Sequence, residues 1–175
     1  MFKLSRAMQA IDKALGTEAA ASWNTPVTYD PNFVPQIVAQ YDELSAQFGA
    51  LRQHLEGGNP AFAERAVLEC ADRLHKLRHT ESLKLYPVIS RGLSTDPIAR
   101  RLFWQSRLVT LGLARRVLRR FDELARAIRK RSEISSAADH VTSALAEYRR
   151  RNEAAMFPLY HAVGARGESI KAKSA

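Results

Sequence analysis

The segment VPQIVAQYDELSAQFGALRQHL, residues 34–55, carries its apolar side chains at intervals of three and four residues. This spacing places them on one face of an α-helix, which predicts a helix that packs against a core along that face. Gly57 and Gly58 end the pattern, and Asn59 followed by Pro60 is typical of the start of a new helix. The apolar face consists of Val34, Ile37, Tyr41, Leu44, Phe48, Leu51 and Leu55.

Three further stretches with the same spacing follow along the chain. The second face ends at Gly92, and Asp96 with Pro97 repeats the pattern of a capping side chain followed by proline. A break from Ser132 to Ser136 separates the third face from the fourth. The second face comprises Val67, Cys70, Leu74, Leu77, Glu81, Leu85 and Val88, the third Leu102, Ser106, Val109, Leu113, Val117, Phe121, Leu124 and Ile128, and the fourth Val141, Leu145, Tyr148, Asn152, Ala155 and Leu159.

These four helices with short connections predict an all-α fold. No stretch shows the alternation of a β-strand, and the expected architecture is an antiparallel up-down four-helix bundle over residues 33–163. Residues 1–32 are predicted to form a weakly helical N-terminal arm and a turn-rich link, and residues 164–175 a basic C-terminal tail.

Composition limits the class of protein. A chain of 175 residues that is 46% hydrophobic and 26% charged is long enough for one domain with a sizeable core. Its apolar runs are too short to span a membrane, and its N-terminus lacks the unbroken apolar stretch of a secretion signal. We therefore expect a cytoplasmic protein without membrane insertion. Its one cysteine, Cys70, lies on an apolar face, which predicts a buried, unreactive thiol.

Polar side chains interrupt the apolar faces at Tyr41, Glu81, Ser106, Tyr148 and Asn152. Buried polar groups are costly unless they are paired, so we expect a polar cluster inside the bundle. One interpretation is a hydrogen-bonded network that fixes how the helices align. The alternative is a metal site, present or lost, since bundle interiors build di-metal sites from inward carboxylates and histidines.

One pattern occurs twice, as TESLKLYP at residues 80–87 and NEAAMFPL at residues 152–159. Each places a carboxylate ahead of an apolar residue, an aromatic residue and a proline. This arrangement resembles the hemerythrin-like proteins, the HHE cation-binding bundles, whose second and fourth helices carry H-x-x-x-E before such a triplet. The first and third helices of that family each carry one inward histidine. The resemblance covers about residues 34–163 and implies a di-iron site inside the bundle.

The resemblance also shows which residues occupy the ligand positions of this family. Only Glu81 is of the residue type that the family has there. A di-iron centre needs several imidazole nitrogens and carboxylate oxygens together, so we predict a degenerate site without a metal cofactor. The six degenerate ligand positions are Tyr41, Leu77, Glu81, Ser106, Tyr148 and Asn152.

Two further histidines, His75 and His79, are four residues apart on one helix face, as metal-binding pairs are. That face lies roughly opposite Leu77 and Glu81, so both are expected to be solvated surface residues. If a cation is retained, Glu81, His75 and His79 are its candidate ligands. The chain has no nucleophile elbow, glycine-rich phosphate loop or paired-carboxylate motif, so we do not expect an enzyme.

Positive charge is the strongest remaining feature, with a net charge of +9. It concentrates in the third helix, as ARRVLRRFDELARAIRKR at residues 114–131, and a second run, RRR, occupies residues 149–151. Such runs usually form a solvated helix face, but arginine also suits bidentate contacts to carboxylate or phosphate. The candidate partner-binding residues are Arg115, Arg116, Arg119, Arg120, Arg126 and Arg129.

These observations predict a hemerythrin-like bundle that has lost its iron ligands and acts as a regulatory or protein-binding module for an acidic partner. Two alternatives remain open. The first is residual cation binding or sensing in the core, and the second is nucleic-acid binding through the arginines of the third helix. No docking motif or aromatic stacking platform accompanies those arginines, so a protein partner ranks above nucleic acid. The oligomeric state is not predicted.

Overall fold

A computed structural model describes the backbone of residues 28–55 and 60–173, and side chains as far as residue 165. Within these residues the secondary structure is helical without a β-strand, which confirms the all-α prediction. Residues 1–27 of the predicted N-terminal arm and link lie outside the described residues. The predicted helix end at Gly57 and Gly58 and the predicted capping residue Asn59 also lie outside the described residues.

The described part of the chain contains six α-helices that form four long rods. The first rod is α1 (Phe33–Arg52), and the third is α4 (Pro97–Lys130). The second rod joins α2 (Pro60–Thr80), a first π-turn (Glu81–Leu85) and α3 (Tyr86–Gly92). The fourth rod joins α5 (Ile134–Arg151), a second π-turn (Asn152–Met156) and α6 (Phe157–Lys173).

One apolar core lies between the four rods. The helix α1 packs against α2 and α5, and α4 packs against the same two helices from the other side. Every residue of the two predicted apolar faces at 34–55 and 67–88 is buried. Removing this apolar surface from water is the main stabilising contribution to such a fold.

The starts and ends of the rods follow local chemistry. Asp96 caps α4 as predicted, since its Oδ1 accepts a hydrogen bond of 2.9 Å from the backbone N–H of Ala99. The break before α5 is shorter than expected. Arg131 and Glu133 adopt the left-handed backbone conformation, with φ of 53° and 55°, and the chain turns within residues 131–133. The helix α5 therefore begins at Ile134, inside the stretch 132–136 predicted as a break.

The two π-turns are the main departure from regular helix, and proline explains both. A proline in a helix has no N–H to donate, and its ring clashes with the carbonyl four residues earlier. Pro87 and Pro158 are the second residues of α3 and α6. The rods widen ahead of them, so that the N–H groups of residues 86 and 157 bond to carbonyls five residues back, at 81 and 152. The repeated LYP and MFP triplets thus mark widened turns within continuous rods.

The second π-turn changes which residues of the fourth rod are buried. Ala155 and Leu159 were expected in the core, but they are half-buried. Met156 and Tyr160 are buried in their place. A π-turn admits one extra residue, which moves the buried face by one position, and a prediction that assumes a constant helical period is wrong beyond it.

The first half of α4 also differs from its predicted face. Leu102 and Val109 were expected in the core, but they are 58% and 50% exposed, and Ser106 is only half-buried. Phe103 and Thr110 are buried there, each 1% exposed. Ahead of Leu113, the predicted apolar face therefore follows the wrong side of the helix.

Arg107 explains why the buried side of the first half of α4 was predicted wrongly. It lies between Phe103 and Thr110 on the side of α4 that faces the second rod, and its charge interrupts the apolar pattern. Its guanidinium carbon is 4.9 Å from the ring centroids of both Tyr86 and Trp104, so the cation is held between two aromatic faces. A stack of this kind lets an arginine occupy a half-buried position that sequence periodicity assigns to an apolar residue.

Two glycines allow close approaches at one end of the molecule. A Cβ at Gly92 would lie 2.0 Å from Cγ1 of Val163, so α3 and α6 come together there only because a side chain is missing. A Cβ at Gly164 would lie 2.2 Å from Cε2 of Tyr29. The Tyr29 ring stacks 5.0 Å from that of Tyr160, and it holds the chain that precedes α1 against α6.

We expect Gly92→Ala to lower the free energy of unfolding by about 1–3 kcal/mol, because the β-branched Val163 has little freedom to move away. Gly49 in α1 is the matched control, since a Cβ there meets nothing within 4 Å. Gly49→Ala should instead raise stability by up to about 1 kcal/mol, as alanine favours helix over glycine. Urea unfolding of the three proteins measures both changes. Equal shifts in the same direction for the two variants would contradict the prediction.

Candidate functional site

Four of the six predicted ligand positions meet in the interior. Tyr41 comes from α1 and Tyr148 from α5, while Glu81 and Asn152 are the first residues of the two π-turns. All four side chains are at most 2% exposed. The two halves of the repeated pattern therefore deliver their polar residues to one buried cluster, which we call the Glu81 cluster.

Hydrogen bonds surround the carboxylate of this cluster. The Tyr41 hydroxyl donates to Oε1 of Glu81 at 2.7 Å, and the Tyr148 hydroxyl donates to Oε2 at 2.6 Å. The Asn152 amide Nδ2 donates to the Tyr41 hydroxyl at 2.7 Å and lies 3.4 Å from Oε1. The two phenol rings meet edge to face, with centroids 5.7 Å apart. Each carboxylate oxygen thus has a phenol donor, as a buried carboxylate requires.

Burial dominates the electrostatics of the cluster. It raises the pKa of Glu81 to about 7, and the hydrogen bonds from Tyr148 and Tyr41 and the charge of Arg78 offset only part of that effect. Burial, followed by the negative charge of Glu81, raises the pKa of both phenols well above the usual value of 10.0. The phenols therefore remain protonated donors, and Glu81 is the group that gains or loses a proton near neutral pH.

One acceptor in the cluster has no partner among the described residues. Oδ1 of Asn152 is buried and accepts no hydrogen bond. Rotating the amide by half a turn would exchange Oδ1 and Nδ2, since the two ends of an amide have nearly the same shape. An acceptor would then face Oε1 of Glu81. The 3.4 Å separation is longer than an O–H···O hydrogen bond, so a protonated Glu81 could donate to this acceptor only after a small shift of the amide.

The other two predicted ligand positions lie outside the cluster. Leu77 is a buried apolar core residue. Ser106 is half-buried, and its Oγ lies 3.5 Å from Nη2 of Arg151. It was expected inside the bundle, but the part of α4 that carries it turns a different side towards the core.

The donor set suits a proton better than a metal ion. Both phenols donate to Glu81 and have a raised pKa, so they stay protonated and neither supplies the phenolate oxygen that would bind a metal ion strongly. His75 and His79 are exposed, as the helix geometry predicts. Partial loss of hydration by neighbouring atoms and then the charge of Arg78 lower the pKa of His75. In the part of the chain that the structure describes, no three His, Cys, Asp or Glu side chains converge in a way that could hold a metal ion.

Several of the candidate partner-binding arginines form ion pairs within the protein. Arg116 pairs with Glu147 at 2.9 Å and ties α4 to α5, while Arg129 pairs with Glu64 at 3.3 Å and ties α4 to α2. The remaining arginines act within α4. Arg119 and Arg120 contact Glu123, Arg126 donates to the backbone carbonyl of Asp122, and Arg115 is half-buried.

Two of the three arginines at residues 149–151 also contact side chains of the same protein. Arg149 binds Asp42 of α1 and Glu153 of its own rod. These hydrogen bonds raise the pKa of Arg149. Arg151 reaches Ser106, so Arg150 is the member of the run that is exposed. The single cysteine is unreactive by its environment, because burial raises the pKa of the Cys70 thiol to about 11.

Comparison of the chain with protein-family models, with curated proteins and with solved structures found no match. Among the described helices, none combines the length and the apolar character needed to cross a membrane.

Proposed function

We propose that the chain is an antiparallel up-down four-helix bundle of the hemerythrin-like type in which a hydrogen-bonded network has replaced the metal site. It acts in the cytoplasm without catalysis, as a regulatory or binding module for an acidic protein partner. The observation that carries this proposal is the Glu81 cluster. Its residues occupy ligand positions of the resembled family, yet the carboxylate is satisfied by phenol and amide donors.

The connections between rods support the up-down arrangement. Residues 93–96 join α3 to α4, and residues 131–133 join α4 to α5. Connections this short favour antiparallel neighbours, because a crossover would need a much longer loop. The proline-induced π-turns at equivalent positions of the second and fourth rods support the two-fold repeat that the hemerythrin-like type implies.

The excess of positive charge on α4 supports an acidic partner. Arg100 and Arg101 are exposed, and no ion pair joins either of them to an acidic side chain among the described residues. Further along, Arg119 and Arg120 share the single carboxylate of Glu123. Surface ion pairs of this kind contribute only about 0–1 kcal/mol, so a partner's carboxylates can replace them.

The first prediction for this proposal concerns metal. We expect freshly purified protein to be colourless, without stoichiometric iron and without an absorption band that depends on oxygen. The physical reason is that the inward positions carry phenols, an amide and one carboxylate, a set that binds iron poorly. Elemental analysis and an absorption spectrum measure this directly. Stoichiometric iron would favour the alternative of a retained cation site.

The second prediction concerns the arginines. We expect poly-L-glutamate to bind with an affinity that falls as salt rises, and the triple variant Arg115→Gln, Arg119→Gln, Arg126→Gln to bind more weakly with a flatter salt dependence. The unfolding midpoint should barely change. The matched control is Arg65→Gln, Arg73→Gln, Lys84→Gln, which removes the same charge from exposed positions off α4. Equal weakening by both triple variants would show that binding depends on the net charge of the protein and not on the arginines of α4. Tighter binding to arbitrary duplex DNA than to poly-L-glutamate would favour the nucleic-acid alternative.

A further inference from the structure

We propose that the first half of α4 is a docking surface for an acidic amphipathic helix of a protein partner. This inference rests on the proposed function and names the surface and the shape of the ligand. The docking surface is an apolar outer face that consists of Ile98, Leu102, Leu108 and Val109, together with Gln105 between them and Gly112 at the far end.

The exposure of this face distinguishes it from the core. Ile98 is 74% exposed, Leu108 66%, and Leu102 and Val109 are 58% and 50% exposed. Their neighbours Phe103 and Thr110 are buried on the other side of the same helix. Scattered exposed apolar residues need no explanation, but a group on one helix face marks an interaction surface.

Helix geometry shows that these residues form one strip. At about 100° per residue, Ile98, Leu102 and Val109 fall within about 40° of arc, and the whole face spans about 120°. From residue 98 to residue 112 the strip is about 20 Å long. These dimensions match the apolar stripe of a partner helix that presents anchors at i, i+4, i+7 and i+11.

Gly112 leaves the far end of the strip without a protruding side chain. It is exposed, and a Cβ added there would meet nothing within 4 Å. A helix without a side chain at this position allows another backbone to come close. The strip therefore fits an extended rod-like ligand better than a compact one.

Charge identifies the kind of helix that fits. The exposed Arg101 lies within the arc of the strip, and Arg116, whose surface ion pair with Glu147 a partner's carboxylate can replace, continues its line beyond Gly112. A second copy of this chain would bring the same arginines against each other. A helix with an apolar stripe and acidic flanks instead pairs its carboxylates with both arginines, which favours it over self-association.

The test uses the full chain and two synthetic peptides of equal composition. One is an acidic helix with leucines at i, i+4, i+7 and i+11 and glutamates on its other faces, and the second is its scramble. We expect the ordered peptide to bind at least about tenfold more tightly by fluorescence anisotropy, because only it presents a continuous stripe. Leu102→Gln and Val109→Gln should each remove most of this difference. Phe62→Gln, at a residue of α2 that is 70% exposed, is the matched control and should leave it unchanged.

The outcomes separate the inference from the function on which it rests. Equal binding of both peptides overturns the docking surface but leaves the acidic partner in place, whereas binding of neither acidic peptide nor poly-L-glutamate overturns both. A lower unfolding midpoint for Leu102→Gln than for Phe62→Gln would show that the strip is covered by the chain itself and overturns the inference. A dimer that Leu102→Gln dissociates overturns it too. Binding to vesicles with anionic lipid that Leu102→Gln abolishes would replace the helical partner by a membrane surface.

Discussion

Replacing Glu81 by leucine is expected to lower the free energy of unfolding by about 2–6 kcal/mol at pH 4.5. Leucine fills the space of the side chain but leaves the hydroxyl groups of Tyr41 and Tyr148 as buried donors without an acceptor. Each unpaired group costs about 1–3 kcal/mol. Glutamine is the matched variant, because its amide has the shape of a protonated carboxyl group: its Oε1 can accept from one phenol while its Nε2 donates to the oxygen of the other. We therefore expect Glu81→Gln to cost little at this pH.

The same three proteins should differ in their dependence on pH. Burial raises the pKa of Glu81 from the usual 4.5 to about 7 in the folded protein. A carboxyl group with a raised folded pKa contributes stability that is fully present below the unfolded pKa, falls between the two pKa values and is lost above the folded one. At about 1.4 kcal/mol per pKa unit, the wild type should lose about 3 kcal/mol between pH 4.5 and 7. Its advantage over Glu81→Leu should shrink by the same amount.

Urea midpoints from pH 4 to 8, with and without a chelator, measure these differences. The glutamine variant has no carboxyl group at this position and should lack the loss of stability that the wild type shows. Parallel pH profiles for the wild type and Glu81→Gln would show that Glu81 has the same pKa in the folded and the unfolded protein, which contradicts a raised pKa. A midpoint that falls with chelator in the wild type, but not in Glu81→Gln, would favour the cation site.

The interior cluster could be predicted from the sequence because polar residues on an apolar helix face are conspicuous. Tyr41, Glu81, Tyr148 and Asn152 interrupt regular stripes, and burial of those stripes carries the four residues inward together. Their hydrogen bonds could not be predicted, because pairing depends on how two rods align and on the width of both π-turns. The prolines after the π-turns were the available signal, since a proline inside a helical pattern forces a local change of geometry.

The third apolar face was the least predictable part of the fold. Apolar residues cover two sides of the first half of α4, and the buried side is the one that contains Arg107. Hydropathy cannot distinguish an arginine stacked between Tyr86 and Trp104 from one in solvent. The ion pairs of Arg116 and Arg129 were hidden for a similar reason, because their partners come from other helices and are distant in sequence.

Removing the phenol hydroxyl groups is expected to have the second largest effect. Tyr41→Phe and Tyr148→Phe each remove a donor from the carboxylate of Glu81, so each should raise the pKa of Glu81 further above its usual value. At pH 8 each should lower the free energy of unfolding by about 1.5–3 kcal/mol, the range for a hydrogen bond to a charged group. At pH 4.5 the carboxyl group is protonated and the loss should be smaller. Tyr160→Phe is the control, because the Tyr160 hydroxyl donates to the backbone carbonyl of Asp30 at 3.2 Å, and its loss should not depend on Glu81.

The double variant Tyr41→Phe, Tyr148→Phe distinguishes a shared proton site from two independent contacts. Once the pKa of Glu81 exceeds 8, the folded protein keeps the proton at pH 8, and removing the second phenol can no longer destabilise a charge. The combined loss should therefore be smaller than the sum of the two single losses. In a Glu81→Gln background, where no charge forms, the pH dependence of both Tyr→Phe losses should disappear. Strictly additive losses that are equal at pH 4.5 and pH 8 would mean that the phenols stabilise the core independently of the ionisation of Glu81.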